Sequence, residues 1–250
     1  MSTNASYQIP TGYHRRSVPA GLYVPVDRSA PTVVPRTRSE VANRTLNVVL
    51  ATVALVVLAP VMLLIAVVIK LTSPGPVLYS QARVGMDRRQ RRALALYDRR
   101  SQDIGGTEFV IYKFRSMQVD AERHSGAVWA SPNDPRVTPV GRVLRSARLD
   151  ELPQLFNVLK GDMNIVGPRP ERPSIFARLR EDISEYPLRQ RAKPGITGLA
   201  QISNSYDMSV DDVRRKVRYD LEYLRRQSLV EDVRIMAMTV PVMLFKRGGW

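Results

Sequence analysis

Residues 48–69 read VVLATVALVVLAPVMLLIAVVI, an uncharged run with Arg44 before it and Lys70 behind it. At 1.5 Å per residue, a helix of this length reaches about 33 Å, enough to cross a hydrocarbon core. Whether it crosses decides the architecture. Pro60, near the middle, removes a backbone donor and bends the helix that contains it. Basic residues flank both sides (Arg36, Arg38 and Arg44 before, Lys70 and Arg83 after), so the charge asymmetry that orients a spanning helix is missing. A hairpin that dips into one leaflet and returns satisfies both observations, because its two ends then meet the same anionic surface. A full span is the competing reading.

On the N-terminal side, residues 1–38 are rich in Pro, Ser, Thr and Arg without apolar periodicity, and are expected to form a disordered basic arm. The apolar run begins too late for a secretory signal. On the C-terminal side, TSPGPVLYSQARVG (72–85) is expected to stop the helix, turn and start a short strand. The basic stretch that follows suits a surface loop or a short helix near lipid. TEFVIYKFRSM (107–117) alternates as a strand does, and GRVLRSARLDELPQLFNVLKGD (141–162) has the spacing of one or two helices broken near its acidic pair. Beyond MNIVGPRPERP the pattern is largely helical, interrupted at KPGITGLAQIS (193–203). The methionine-rich end, with Lys246, Arg247 and Trp250, fits a helix at a membrane interface or a core helix about equally.

Composition narrows the chemistry. Cysteine is absent, and the two histidines, His14 and His124, have no partners at ligand spacing, which leaves carboxylates, lysine, arginine and hydroxyls as catalysts. With 38 Lys and Arg against 23 Asp and Glu, the partner is anionic: nucleic acid, lipid surface or phosphorylated substrate. The apolar run, and the lack of a nucleic-acid-binding motif, set nucleic acid aside.

Within this basic chain Asp150 and Glu151 stand side by side in RLDELPQ. An acidic pair at a helix start meets the positive end of the macrodipole and needs no further role. Its surroundings suggest more. Lys113, Arg115, Arg136, Arg142, Arg145 and Arg148 precede it, and GPRPERP places Arg169 and Arg172 on proline-stiffened backbone suited to bidentate phosphate recognition. Carboxylates among cations are the inventory of phosphoryl transfer: cations offset charge, one carboxylate holds Mg²⁺, and the other attacks phosphorus or activates a nucleophile. A scaffold that keeps the fold without turnover is the non-enzymatic alternative.

Five ordered motifs, SPGPVLYSQARVG, YKFRSM, GRVLRSARLDELPQLFNVLKGDMNIVGPRP, KPGITGLAQI and YDLEYLRRQSLVEDVRIMAMT, together resemble the bacterial sugar transferases, the monotopic polyprenyl-phosphate phosphoglycosyl transferases, over about residues 42–245. The resemblance implies transfer of sugar 1-phosphate from a UDP-sugar to a polyprenyl phosphate such as undecaprenyl phosphate, at the cytoplasmic face of the bacterial inner membrane, as the first membrane step of surface-glycan synthesis. It implies Asp150 as the nucleophile of a covalent phospho-sugar intermediate, with UMP released, and Glu151 as the Mg²⁺ ligand. Lys113, Arg115, Arg145, Arg169 and Asp220 become substrate-binding candidates, and membrane lipids, a second copy of the chain and downstream glycosyltransferases become candidate partners.

The implied fold is α+β: a mostly helical catalytic domain with a small β element, a re-entrant N-terminal membrane helix hairpin and interfacial amphipathic helices. Its expected divisions are a disordered basic arm (1–40), a re-entrant helix kinked at Pro60 (41–73) and a cytoplasmic-face catalytic domain (74–250) with an insertion at about 87–106. Three departures from the family pattern stand out. Ala59 precedes the kink proline where Ser is frequent, Asn47 follows Arg44 where an aspartate is frequent, and the insertion lengthens a usually short turn.

Overall fold

Residue 39 opens a helix, α1, that runs from Glu40 to Thr72 in a computed structural model describing residues 33–87, 105–121, 123, 134–203 and 210–244. The expectations for most of the basic arm, for most of the 87–106 insertion and for the basic and aromatic anchors after residue 244 lie outside the described residues. The Ser39 side chain accepts a hydrogen bond from the Ala42 amide, and Glu40 and Lys70 occupy the first and last turns. Each charge sits where it complements the helix dipole. The helix includes Pro60, which lies on an exposed face and removes one backbone hydrogen bond.

One stripe of α1 is buried: Asn43, Asn47, Ala51, Ile65 and Ile69, at intervals that keep them on one face. Ala51 packs with Ile111, Leu155, Val158 and Met163, while Ile65 and Ile69 pack with Phe114 and Leu144. The opposite face exposes Val53, Val56, Val57, Leu63, Leu64 and Val67. Polar groups fix the N-terminal half. Arg44 donates to the carbonyls of Val158 and Leu159 at 2.5 Å each, and Asn47 Oδ1 accepts from the Ile165 amide at 2.6 Å. Asn47 thus uses its amide oxygen to hold the backbone of a neighbouring strand.

The strands β1 (Leu78–Val84) and β2 (Glu108–Phe114) pair antiparallel, with Leu78 opposite Phe114 and Val84 opposite Glu108. After α2 (Pro139–Ser146) and a short 3-10 turn comes α3 (Gln154–Lys160), ended by Gly161 in the left-handed region at φ 86°. Asn157 on α3 covers the free edge of β2: Oδ1 accepts from the Tyr112 amide at 3.1 Å and Nδ2 donates to the Val110 carbonyl at 2.6 Å.

A second, parallel pair joins β3 (Asn164–Val166) to β4 (Gly195–Thr197), where the sequence reading expects only an interruption between helices. Glycine permits it, since a Cβ on Gly195 would lie 2.1 Å from the Gly167 nitrogen. The remaining helices are α4 (Pro173–Asp182), α5 (Leu199–Ser203), α6 (Val210–Arg226) and α7 (Leu229–Leu244). Phe176, Tyr186, Val213, Val217, Leu221, Tyr223, Leu224 and Ile235 form the largest core cluster among the described residues. α6 buries Val213, Val217, Leu221, Tyr223 and Leu224 against it, together with one acid, Asp220. α7 buries Ile235 and Asp232, as a core helix does, and exposes Val230, Val233, Met238, Val240 and Met243. The expectation of a mostly helical α+β chain with a small β element holds.

Candidate active site

The acidic pair sits in a turn between two helices. Thr138 caps α2 by accepting the Gly141 amide at 2.9 Å, and Gly141 lets the helix press on the end of β2, where a Cβ would come 1.9 Å from the Ser116 carbonyl oxygen. Arg148, at φ 55°, then reverses the backbone, a left-handed conformation uncommon for a residue with a Cβ. A single 3-10 turn (Leu149–Glu151) follows and turns both carboxylates inward, each residue 7% exposed. Pro153 stands just before α3, where its missing N–H costs nothing. The sequence reading of an acidic helix start is therefore close in place, but the pair precedes the helix and is buried.

The two carboxylates differ sharply. Glu151 Oε1 accepts from Lys113 Nζ and from Arg169 Nη2, both at 2.7 Å, and Oε2 has a longer contact of 3.4 Å with Arg169 Nη1. Burial alone would raise its pKa, but Arg169 and Lys113, by charge and by hydrogen bond, hold it well below the usual carboxylate range. The Asp150 side chain accepts no hydrogen bond among the described residues. Burial pushes it up, and the negative Glu151 adds to this, while Lys113, Arg145 and Arg169 pull in the other direction without cancelling the rise.

Each cation is positioned by a different element. Lys113 comes from β2, where burial lowers its pKa and Glu151 opposes that effect. Arg145 comes from the last turn of α2 and acts on Asp150 through charge, without a hydrogen bond among the described residues. Arg169 rides on the loop 167–172, whose carbonyls are fastened on all sides. Pro168 O accepts from the Gly195 amide at 3.0 Å, Pro170 O from Arg83 at 3.1 Å, Glu171 O from the Val84 amide at 2.8 Å, and Arg172 O from the Phe176 amide at 2.8 Å.

Two sequence candidates stand elsewhere. Arg115 is buried and commits its guanidinium to Ser73 O (2.8 Å), Ser73 Oγ (2.7 Å) and Pro74 O (2.6 Å), so it pins the end of α1 instead of facing the dyad. Asp220 is buried on α6 in an ion pair with Arg189 at 2.7 Å and does not meet the dyad directly. Arg136 closes a turn on Asp134, the bland role of a charged loop residue. Arg83 and Arg189, which brace the Arg169 loop, carry no signal that separates them from surface arginines in the sequence.

Among the described residues no group of three acidic or histidine side chains forms a ready metal cage. Asp150 and Glu151 are the hard oxygen donors at hand, and Glu151 Oε2 is the less committed oxygen of its carboxylate. One or two carboxylates, completed by phosphate oxygens and water, are the donor set that suits Mg²⁺.

Fold and site define a helix-rich α+β protein that joins an apolar, membrane-capable helix to a buried acidic pair among cations. Residues 38–246 match the family model described as bacterial sugar transferase, and the chain belongs to that family. It is 43% identical over 184 residues to the UDP-N-acetylgalactosamine-undecaprenyl-phosphate N-acetylgalactosaminephosphotransferase of Aeromonas hydrophila, covering 74% of this chain and 39% of that protein. A UDP-glucose:undecaprenyl-phosphate glucose-1-phosphate transferase of Escherichia coli (strain K12) is 41% identical over 204 residues, covering 81% of this chain and 40% of the relative. One of the same name from Caulobacter vibrioides is 39% identical over 213 residues, covering 84% of this chain and 73% of the relative. The chain thus spans about two fifths of the first two relatives and most of the third.

Proposed function

We propose that the protein transfers sugar 1-phosphate from a UDP-sugar to a polyprenyl phosphate, with undecaprenyl phosphate as the acceptor, and so initiates surface-glycan assembly. The observation that carries this reading is the buried Asp150 carboxylate, free of hydrogen bonds among the described residues, beside a Glu151 that two cations hold. An oxygen with lone pairs uncommitted is a nucleophile in waiting, and the names of the relatives supply both substrates.

In this mechanism an Asp150 oxygen attacks the sugar-bearing phosphorus of the donor. The bond from that phosphorus to the bridging oxygen breaks, and UMP leaves with that oxygen. A phosphate oxygen of the polyprenyl acceptor then attacks the same phosphorus and expels the Asp150 carboxylate, giving the polyprenyl diphospho-sugar and the free enzyme. Lys113, Arg145 and Arg169 surround the carboxylates with positive charge, which offsets the charge of the transferred phosphoryl group. Mg²⁺, held by Glu151 with Asp150 alongside, would neutralise the donor's diphosphate.

The membrane arrangement that suits this chemistry is monotopic and re-entrant, bent at Pro60, with residues 74–250 on the cytoplasmic face of the inner membrane and α7 at the interface. Both halves of α1 pack on the same body, through Ala51 at one end and Ile65 and Ile69 at the other, which supports entry and return on one side. The exposed valines and leucines of α1 then face lipid, and the phosphates of both substrates meet at headgroup depth. The test is UMP release from purified full-length protein in nanodiscs with Mg²⁺, undecaprenyl phosphate and a panel of UDP-sugars. Turnover with one donor, and its loss in Asp150→Asn, is the expected result. No UMP with any donor rejects the reading.

A further inference from the structure

Of the consecutive carbonyls from residue 168 to residue 172, that of Arg169 itself is held by a buried arginine. Arg189, on the 3-10 turn Tyr186–Arg191, donates Nη2 to it at 3.0 Å. The same nitrogen lies 2.7 Å from Asp220 Oδ2, and Nη1 donates to the Tyr186 hydroxyl at 2.8 Å. The Tyr186 ring lies 5.0 Å from the guanidinium carbon. Arg189 and Asp220 are 6% and 2% exposed.

A charged pair this deep is expensive to desolvate, and well-packed apolar residues would close the same core at lower cost. What a guanidinium adds is direction, since its planar fork meets several acceptors at fixed angles. Here one fork donates to a phenol and to the backbone of the residue that grips Glu151, and holds an acid beside it by charge. Arg169 therefore has Glu151 at its side-chain end and Arg189 at its carbonyl.

We propose that Arg189, Asp220 and Tyr186 form a positioning unit that fixes Arg169, so that its guanidinium stays on Glu151 while the phosphoryl group is transferred. The proposal rests on the reading of Asp150 and Glu151 as the reaction center. It gives Asp220 a role at one remove: it orients Arg189 and does not touch substrate.

Arg189→Lys keeps a cation for Asp220 but lacks the fork. In full-length protein in nanodiscs, kcat is expected to fall by about 30- to 100-fold, the effect of a small misplacement at a reacting centre. KM for the UDP-sugar stays within about threefold. In an Arg169→Lys background the same change costs less than about threefold, because the residue it acts through is already altered. Losses that multiply independently in the double variant, or wild-type kcat in Arg189→Lys, overturn the proposal. Tyr186→Phe is the milder companion should Arg189→Lys fold poorly: a loss of several-fold in kcat that vanishes in the Arg169→Lys background supports the unit, and no loss overturns it. Guanidinium NMR gives a readout that needs no turnover. The Arg169 signal, assigned by its absence in Arg169→Lys, should broaden in Tyr186→Phe and Arg189→Lys, and an unchanged signal in both refutes the unit. If the wild type releases no UMP, the function fails and this spectrum still decides the positioning.

Discussion

Asp150 and Glu151 are one peptide bond apart and equally buried, yet the structure treats them oppositely. Glu151 lies between a strand lysine and an arginine whose loop is fastened at the carbonyls of residues 168–172. Asp150 feels the charge of Lys113, Arg145 and Arg169 but accepts no hydrogen bond among the described residues. Ionised Glu151 stabilises the fold, and ionised Asp150 is a cost the fold carries. Two neighbouring carboxylates can thus have different roles because their partners differ, not their exposure.

The largest expected effect tests the Asp150 side. Asp150→Asn should lower UMP release by about 10⁴-fold, while thermal melts at neutral pH stay level or rise. Its folded pKa is raised, so the contribution of the acid is favourable below its unfolded pKa and is lost as pH rises through the folded one. A clear loss of stability at neutral pH would break the comparison.

Glu151→Gln should lower turnover by roughly 10²-fold and cost about 2–3 kcal/mol in denaturant melts. That is below the range for a fully buried pair because the Arg169 side chain is 41% exposed. The folded pKa of Glu151 is depressed, so the loss should be full above the unfolded carboxylate pKa and fade as pH falls through the folded one. A pH-independent loss would point to packing instead of charge.

A sharper test uses the acid limb of kcat. In the proposed mechanism Asp150 must be ionised to attack, and Lys113 favours its charge more than Arg145 does. Lys113→Met should move the limb to higher pH, and Arg145→Met should move it the same way by less. A limb that stays put in both variants would remove Asp150 as the titrating group. The smallest effect concerns the turn: Arg148→Gly relieves a left-handed residue but adds chain entropy, so the melting change should stay within about 1 kcal/mol.

Much of this site is written locally in the chain. The alternation of EFVIYKF gives β2, and the dyad and the proline-flanked Arg169 stand out against their neighbours. Arg115 shows where local reading fails. Period two puts Lys113 and Arg115 on the same face, but the strand ends at Phe114, and Arg115 turns to the carbonyls at the end of α1. The parallel pair of β3 and β4 is too short for periodicity and depends on two glycines distant in sequence. Arg189, in YPLRQR, looks like any surface base, because its meaning comes from Asp220 on α6 and a carbonyl on a third segment.

The latch between α1 and the body has a practical side. Removing everything before residue 73 would strip the partners of two carbonyls at the end of α3 and of the Ile165 amide in β3, along with the apolar cover over Val158 and Met163. The helix is a wall of the building as well as its foundation. A detergent-free fragment made by truncation starts with a hole in its core, so solubility is better sought by changing the exposed valines of α1 than by cutting the helix away.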